Sequence, residues 1–142
     1  MIYCICEAEC IGRRYLGCVS VLSSYYLGES TISRTIAGRY NERRRLRASF
    51  FFLKRGGDVR NARKFFTSLA VQLAFNVPSL QQYIYAAVIS DIASLSLLEQ
   101  WRRLVLSPLS NLQSESCQSY ILVVDALDGC EDDKISGLFY NS

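Results

Sequence analysis

The chain has 142 residues, half of them apolar and a fifth charged, which is the composition of an ordinary globular domain and excludes a disordered tail. Sixteen basic against thirteen acidic residues give a net charge of +3, which is too small to indicate nucleic acid as a partner. The six cysteines have irregular spacings and the chain has no histidine, so we expect no metal-thiolate site and reduced thiols in a cytoplasmic protein.

The first predicted elements are a strand and a helix. Residues 17–22, GCVSVL, form a short apolar run that is typical of a buried strand. A helix follows from Ser30, where apolar residues begin to recur at helical spacing: Ile32, Ile36, Ala37 and Tyr40. We expect the four arginines that come next to form a solvated face that complements the helix dipole: Arg43, Arg44, Arg45 and Arg47.

A second strand and a second helix are predicted in the middle of the chain. Residues 48–53, ASFFFL, are apolar throughout, so we expect this strand to be covered on both faces. Asp58 or Asn61 is placed to cap the helix that follows. One continuous apolar face runs along that helix: Phe65, Phe66, Leu69, Ala70 and Leu73.

The stretch from residue 65 to residue 90 contains no charged residue and therefore needs a test as a membrane span. It contains five residues that are costly in lipid: Gln72, Asn76, Pro78, Gln81 and Gln82. We instead predict two amphipathic helices broken near Pro78, the second over residues 79–89, and no membrane as a partner. Glu7 and Glu9 interrupt any signal-like apolar segment near the N-terminus.

The last predicted elements are a helix over residues 95–106, ending near Pro108, and a strand. Five residues are expected to form the inward face of this helix: Leu97, Leu98, Trp101, Leu104 and Val105. In the run SYILVVDALDGCEDD, the apolar residues 121–124 end at Asp125. A buried strand with a carboxylate at its C-terminal tip suits a site for a metal-bound nucleotide, and an ordinary acidic turn is the alternative.

The order of these pieces resembles a known family. The chain resembles the NACHT-type P-loop NTPases of fungi in the order of six pieces. These are a strand, the run GEST at residues 28–31, a helix, and the segments SFFFLKRGGDVRNARKFFTSLAVQLA, SLLEQWRRLVLSPLSNL and ILVVDALDGCEDD. These NTPases are NLR-like signalling ATPases of the STAND class, also described as nephrocystin-3-like N-terminal domains. The resemblance covers residues 17–133. It implies an α/β, three-layer P-loop NTPase-like fold with a mostly parallel sheet, truncated after the Walker B strand.

The resemblance assigns residues 23–30 to the phosphate-binding loop, or Walker A motif, whose pattern is G-x-x-x-x-G-K-[ST]. It implies four residues that bind the nucleotide cofactor: Gly28, Glu29, Ser30 and Thr31. Gly28 matches the second glycine and Ser30 the hydroxyl that binds Mg²⁺, but Glu29 stands in place of the lysine. Ser23 likewise replaces the first glycine.

The resemblance also assigns the acidic residues of the Walker B half. Asp125 matches the strand-end aspartate that helps to hold Mg²⁺ together with Ser30. Asp128 matches the second acid of the family signature D-A-L-D-E-C and is the implied catalytic residue. Gly129 replaces the glutamate that would polarise the attacking water.

These departures predict impaired chemistry. Two unit charges about 4 Å apart interact by about 4 kcal/mol at an effective dielectric constant of about 20. A glutamate in place of the lysine removes one such attraction and adds a repulsion. We therefore expect weak or absent binding of Mg-ATP or Mg-GTP and impaired hydrolysis, so the chain has the ancestry of an enzyme without its expected activity.

The domain assignment is an unassigned segment, residues 1–16, followed by a partial NACHT-like domain, residues 17–142. In the family a further strand lies between the phosphate-loop strand and the Asp-bearing strand, and residues 2–6, IYCIC, are a candidate to fill that gap. The partners expected are other protein domains, or self-association through a larger parent protein. The alternatives are a non-catalytic protein-interaction fragment and a truncated gene product without an independent function.

Overall fold

The structure is a computed structural model, and it describes residues 2–10, 13–22, 29–52, 61–89, 91–111, 121–126 and 130, with the backbone alone for residues 2–10, 13–22, 29 and 30. The strands are β1 (Ile2–Cys10), β2 (Arg13–Leu22), β3 (Leu46–Phe51) and β4 (Ile121–Asp125). The helices are α1 (Glu29–Glu42), α2 (Ala62–Asn76), α3 (Gln81–Ile89), α4 (Leu97–Trp101) and α5 (Ser107–Ser110). Short 3₁₀ turns cover Pro78–Leu80 and Ile92–Ser94, and a π-helical segment covers Arg102–Leu106.

The four described strands form one sheet in the order β2-β1-β4-β3. β1 pairs antiparallel with both β2 and β4, whereas β3 and β4 pair in parallel. The predicted mostly parallel sheet is therefore only partly found, because a single pair of neighbouring strands is parallel in the described sheet. The prediction that the N-terminal segment fills the gap beside the Asp-bearing strand is confirmed. Because β2 and β4 both run opposite to β1, they point in the same direction.

Helices cover both faces of the sheet around β3 and β4. On one face, α1 contributes Ala37 to a small cluster with Ile121 and Val123 of β4, and Phe51 packs against it. On the other face lies the larger core, which joins β3 and β4 to α2 and to the 97–110 helical region. Side chains alternate between the two faces along a strand, so β3 contributes to both clusters. The prediction that this strand is covered on both faces is confirmed in part. Ala48 and Phe50 are buried on one face, whereas Arg47, Ser49 and Phe51 on the other face are half-buried.

Aromatic rings form a continuous row through the larger core. The ring centroids of Phe50 and Phe65 are 5.1 Å apart, those of Phe65 and Phe66 are 5.0 Å apart, and those of Phe66 and Trp101 are 5.9 Å apart. These distances are those of favourable aromatic pairs. The row connects β3 through α2 to α4, so the buried face predicted for α2 is the one that holds the layers together. All five residues predicted for that face are buried.

The start and end of α2 follow from local sequence. Asn61 is the N-cap, and its Oδ1 accepts a hydrogen bond of 2.9 Å from the backbone N–H of Arg63, which confirms one of the two predicted caps. The other candidate, Asp58, lies outside the described residues. At the other end, Pro78 opens a 3₁₀ turn that separates α2 from α3, as predicted.

The helix predicted over residues 95–106 is longer and less regular than expected. Ser96 caps α4, and the helical path continues through the π segment and past Pro108 to the end of α5. The backbone N–H of Ser107 bonds to the carbonyl of Arg102, the five-residue spacing of a π turn. The extra residue widens the backbone just before Pro108, whose ring would otherwise crowd the preceding turn.

Two residues predicted to face inward are exposed. Leu98 is 43% exposed, because it lies in the first turn of α4 on the solvent side, while Trp101, Leu104 and Val105 are buried. In α1, Ile32 is 48% exposed, and Ser33 occupies the inward position. The other predicted residues of both helices are buried or half-buried against the core, so each predicted face contains one wrong residue near the start of the helix.

No helix in the described part of the chain is both long enough and apolar enough to span a membrane.

Candidate functional site

The start of α1 is the first half of the predicted site. Glu29 and Ser30 are the first two residues of the helix, and Thr31 is exposed in the same turn. The carbonyl of Thr31 accepts a hydrogen bond of 2.8 Å from Oγ1 of Thr35. The first N–H groups of a helix have no partner within it, and the helix dipole favours anions there. Gly28 and the rest of the predicted loop, residues 23–28, lie outside the described residues.

The end of β4 is the second half. All five residues of this strand are buried, and Asp125 at its tip is only 2% exposed. β4 has a neighbouring strand on each side, β1 and β3, which explains its burial. The chain then turns at Ala126, whose φ of 53° lies in the left-handed region that non-glycine residues seldom adopt. Asp128 and Gly129 lie outside the described residues.

The sheet brings these two halves to one edge. Ile2 lies opposite Leu22 in one ladder and opposite Asp125 in the other. Neighbouring strands are about 4.8 Å apart, so the tips of β2 and β4 are separated by about 10 Å. Phe51, the last residue of β3, pairs with Asp125. The carboxyl ends of β2, β4 and β3 therefore meet at the edge where residues 23–28 connect β2 to α1.

A second feature lies along the outer edge of β3 and was not predicted. An open groove of about 330 Å³ runs between α1 and α2, with β3 as its floor, and its lining includes Gly38, Asn41, Ser49, Gln72 and Asn76. We call it the edge groove. The sequence signal was present, because Gln72 and Asn76 stand one helical turn apart in a helix that is otherwise mostly apolar.

The arginines after α1 end the helix. Arg44 has a φ of 54°, its backbone N–H bonds to the carbonyl of Asn41, and the N–H of Arg45 bonds back to the carbonyl of Tyr40. This is the Schellman arrangement, in which a left-handed residue closes a helix. Arg43, Arg44 and Arg45 are exposed, which confirms the predicted solvated face for these three. The guanidinium of Arg47 instead reaches the carbonyl of Asn76 at 3.4 Å.

The chain is a mixed α/β domain in which the carboxyl ends of β2, β3 and β4 lie on the same side of the sheet, and α1 begins on that side. A family model described as Nephrocystin 3, N-terminal matches residues 26–140, and the chain belongs to this family. The match begins three residues before α1 and runs past the end of β4, and it leaves out β1 and β2. Neither the curated proteins nor the solved structures contain a significant match to the chain.

Proposed function

We propose that the chain is a degenerate NACHT-like nucleotide-binding module of a STAND or NLR-type signalling protein, with a P-loop NTPase-like fold and weak or absent binding of Mg-ATP or Mg-GTP. The observation that carries the proposal is the common edge at which Leu22, Asp125 and Phe51 end their strands. In open α/β sheets, ligands bind beyond the carboxyl ends of the strands. The start of α1, after residues 23–28, supplies the helix N-terminus that phosphates prefer.

The groups at this edge suit a magnesium phosphate in kind. A carboxylate such as that of Asp125 is a hard oxygen ligand of the type Mg²⁺ takes, and free helix N–H groups are donors for phosphate oxygens. The missing element is the cation, because Glu29 stands at the first position of α1 where a lysine would neutralise the phosphates. Bound Mg²⁺ would neutralise part of the phosphate charge. The chain itself adds no positive charge at this position, because Glu29 is negatively charged where a lysine would be positive.

We propose that the chain has lost nucleotide hydrolysis more completely than nucleotide binding. Asp128 is the remaining candidate for the catalytic acid, and Gly129 has no side chain with which to polarise a water molecule. The chain would therefore act as a nucleotide-insensitive member of its class, with partners that are protein domains or further copies within a larger parent protein.

Equilibrium binding of a fluorescent ATP or GTP analogue in the presence of Mg²⁺ tests the proposal. We expect the wild-type chain to bind more weakly than micromolar and Glu29→Lys to tighten binding at least about tenfold, which corresponds to about 1.4 kcal/mol. Glu42→Lys is the matched control, because it makes the same charge change at the opposite end of α1. Equal gains from both variants would indicate a general charge effect and would contradict a phosphate site at the helix start.

The alternative function, a non-catalytic protein-interaction fragment, has one observation in its favour. Large apolar side chains are exposed on α2 and α3, among them Phe75 at 82% and Ile89 at 86%. Contiguous exposed apolar patches are typical of surfaces that contact other proteins, and α2 and α3, which carry these side chains, are in contact with each other. The interaction fragment is supported over the nucleotide-binding module if neither the wild-type chain nor Glu29→Lys binds nucleotide and the chain melts cooperatively. A chain without a cooperative melt would instead support the truncated gene product.

A further inference from the structure

The outer edge of β3 is occupied by side chains of α2. The backbone N–H of Ser49 donates to Oε1 of Gln72 at 3.0 Å, and Nε2 of Gln72 donates to the carbonyl of Ser49 at 2.9 Å. Next along the strand, Nδ2 of Asn76 donates to the carbonyl of Arg47 at 2.8 Å. A carboxamide carries the same donor and acceptor as a peptide group. Gln72 therefore makes with Ser49 the two bonds that an added strand would make.

We infer that Gln72 and Asn76, here called the amide clasp, hold the outer edge of β3 closed against pairing with β3 of a second copy of this chain. Releasing the clasp would turn this edge into a dimer interface. The inference does not depend on nucleotide binding and so goes beyond the proposed function. An edge strand with free N–H and C=O groups is a template for another strand, and proteins commonly block such edges.

The register of two β3 strands supports a second copy as the occupant. In an antiparallel pair centred on Ser49, the two Ser49 residues would exchange both backbone hydrogen bonds, which are the bonds that Gln72 now makes. The same register places Arg47 of one copy opposite Phe51 of the other. The two Arg47 side chains therefore do not face each other, and within Leu46–Phe51 this register creates no like-charge pair.

Open space lies beside this edge of β3. The edge groove lies along this part of β3, between α1 and α2. On the α1 side, a Cβ placed on Gly38 would meet no atom within 4 Å, so this wall is open. Once the Gln72 side chain leaves Ser49, backbone approach is limited by the two helices rather than by a packed core.

Sedimentation of the full chain over a range of concentrations tests the inference. Gln72→Met keeps the length of the side chain and removes its hydrogen bonds, and we expect self-association at least about tenfold tighter than that of the wild type. Gln82→Met is the matched control, because Gln82 is exposed on α3 and the same change there should leave association unchanged. The rate of hydrogen exchange at the Ser49 amide should fall as the protein concentration rises in Gln72→Met, and it should not depend on protein concentration in the wild type or in Gln82→Met.

A double variant decides whether the edge itself is the interface. Ser49→Pro removes the outward N–H, which is tolerated on an edge strand because that group does not bond to β4. Gln72→Met with Ser49→Pro should return to the wild-type association state. Persistence of the dimer in the double variant, or no tighter association in folded Gln72→Met, would overturn the inference. If Gln72→Met fails to fold, Asn76→Ala provides the same test at the carbonyl of Arg47, with a smaller expected gain.

Discussion

The backbone N–H of Phe52 donates to the carbonyl oxygen of Asp125 at 3.0 Å, which extends the β3–β4 ladder one residue past the end of β3. This bond fixes the main chain of Asp125 at the tip of β4. The next residue, Ala126, then turns into the left-handed region. Two features therefore set the direction in which the chain leaves the sheet: the hydrogen bond that holds the carbonyl of Asp125, and the left-handed backbone of Ala126.

Replacing Ala126 with glycine should stabilise the chain. The φ of 53° is costly for alanine and free of strain for glycine, and the greater freedom of glycine in the unfolded chain offsets part of the gain. We expect the free energy of unfolding in urea to rise by about 0.5–1 kcal/mol. Ala86→Gly, within α3 and exposed, is the control and should lower the free energy of unfolding by about 1 kcal/mol. A loss of stability in both variants would contradict the strain at Ala126.

The end of α1 makes a similar prediction for Arg44. Its φ of 54° closes the helix, so Arg44→Gly should raise the unfolding free energy by about 0.5–1 kcal/mol despite the lost positive charge. Thermal melting at several salt concentrations separates the backbone effect from the charge effect, because only the latter is screened. Arg43→Gly removes the same charge without a left-handed backbone to relieve, and it should lower stability.

The N-cap of α2 can be tested by removing one oxygen acceptor. Asn61→Ala leaves the backbone N–H of Arg63 without the Oδ1 partner at 2.9 Å, and we expect a loss of about 1 kcal/mol in urea unfolding. Asn61→Asp keeps an oxygen at the same place and should remain within about 0.5 kcal/mol of the wild type. An equal loss in both variants would indicate that the asparagine acts through something other than capping.

The aromatic row predicts a strong contrast between two phenylalanines of α2. Phe66 is fully buried between Phe65 and Trp101, and Phe66→Ala should cost about 3–5 kcal/mol of unfolding free energy. Phe75, on the same helix and exposed, should lose less than about 0.5 kcal/mol when replaced by alanine. A small loss at Phe66 would show that the core collapses around the cavity, and the melting curve would keep its midpoint.

Removal of magnesium provides a test of Asp125 in a background that binds nucleotide. In Glu29→Lys, chelating Mg²⁺ should weaken binding of the fluorescent nucleotide analogue by at least about tenfold, because the metal neutralises phosphate charge. In Glu29→Lys with Asp125→Asn, chelation should have little further effect. Equal sensitivity to chelation in both would place the metal ligand elsewhere.

Local patterns in the sequence predicted local structure well. The apolar face of α2, the cap at Asn61 and the break at Pro78 depend on residues within a few positions of one another, and all three are found. The exposure of Ile32 and Leu98 shows the limit, because helical spacing does not determine which residues near the start of an apolar face are covered. That choice depends on partners distant in the sequence.

Contacts between elements that are far apart in the sequence are not predicted, or are predicted only in part. The N-terminal strand was expected beside β4, but its antiparallel direction is set by its ladders with β2 and β4. Gln72 and Asn76 were noted only as polar residues in an uncharged stretch. Their role follows from the packing of α2 against β3, which no periodicity encodes. Likewise, Asp125 was predicted as a strand tip, while the meeting of three tips at one edge required the strand order.

The position of β1 has a consequence for how this domain can be cut. The family match begins at residue 26, yet β4 has β1 as one of its two neighbours in the sheet. A chain trimmed to the matched segment would keep α1, α2 and the Asp-bearing strand but would lose two of the four described strands. The trimmed protein would expose the backbone of its most buried strand to solvent. We therefore expect the unit that unfolds cooperatively to include β1 and β2, which lie outside the segment that matches the family.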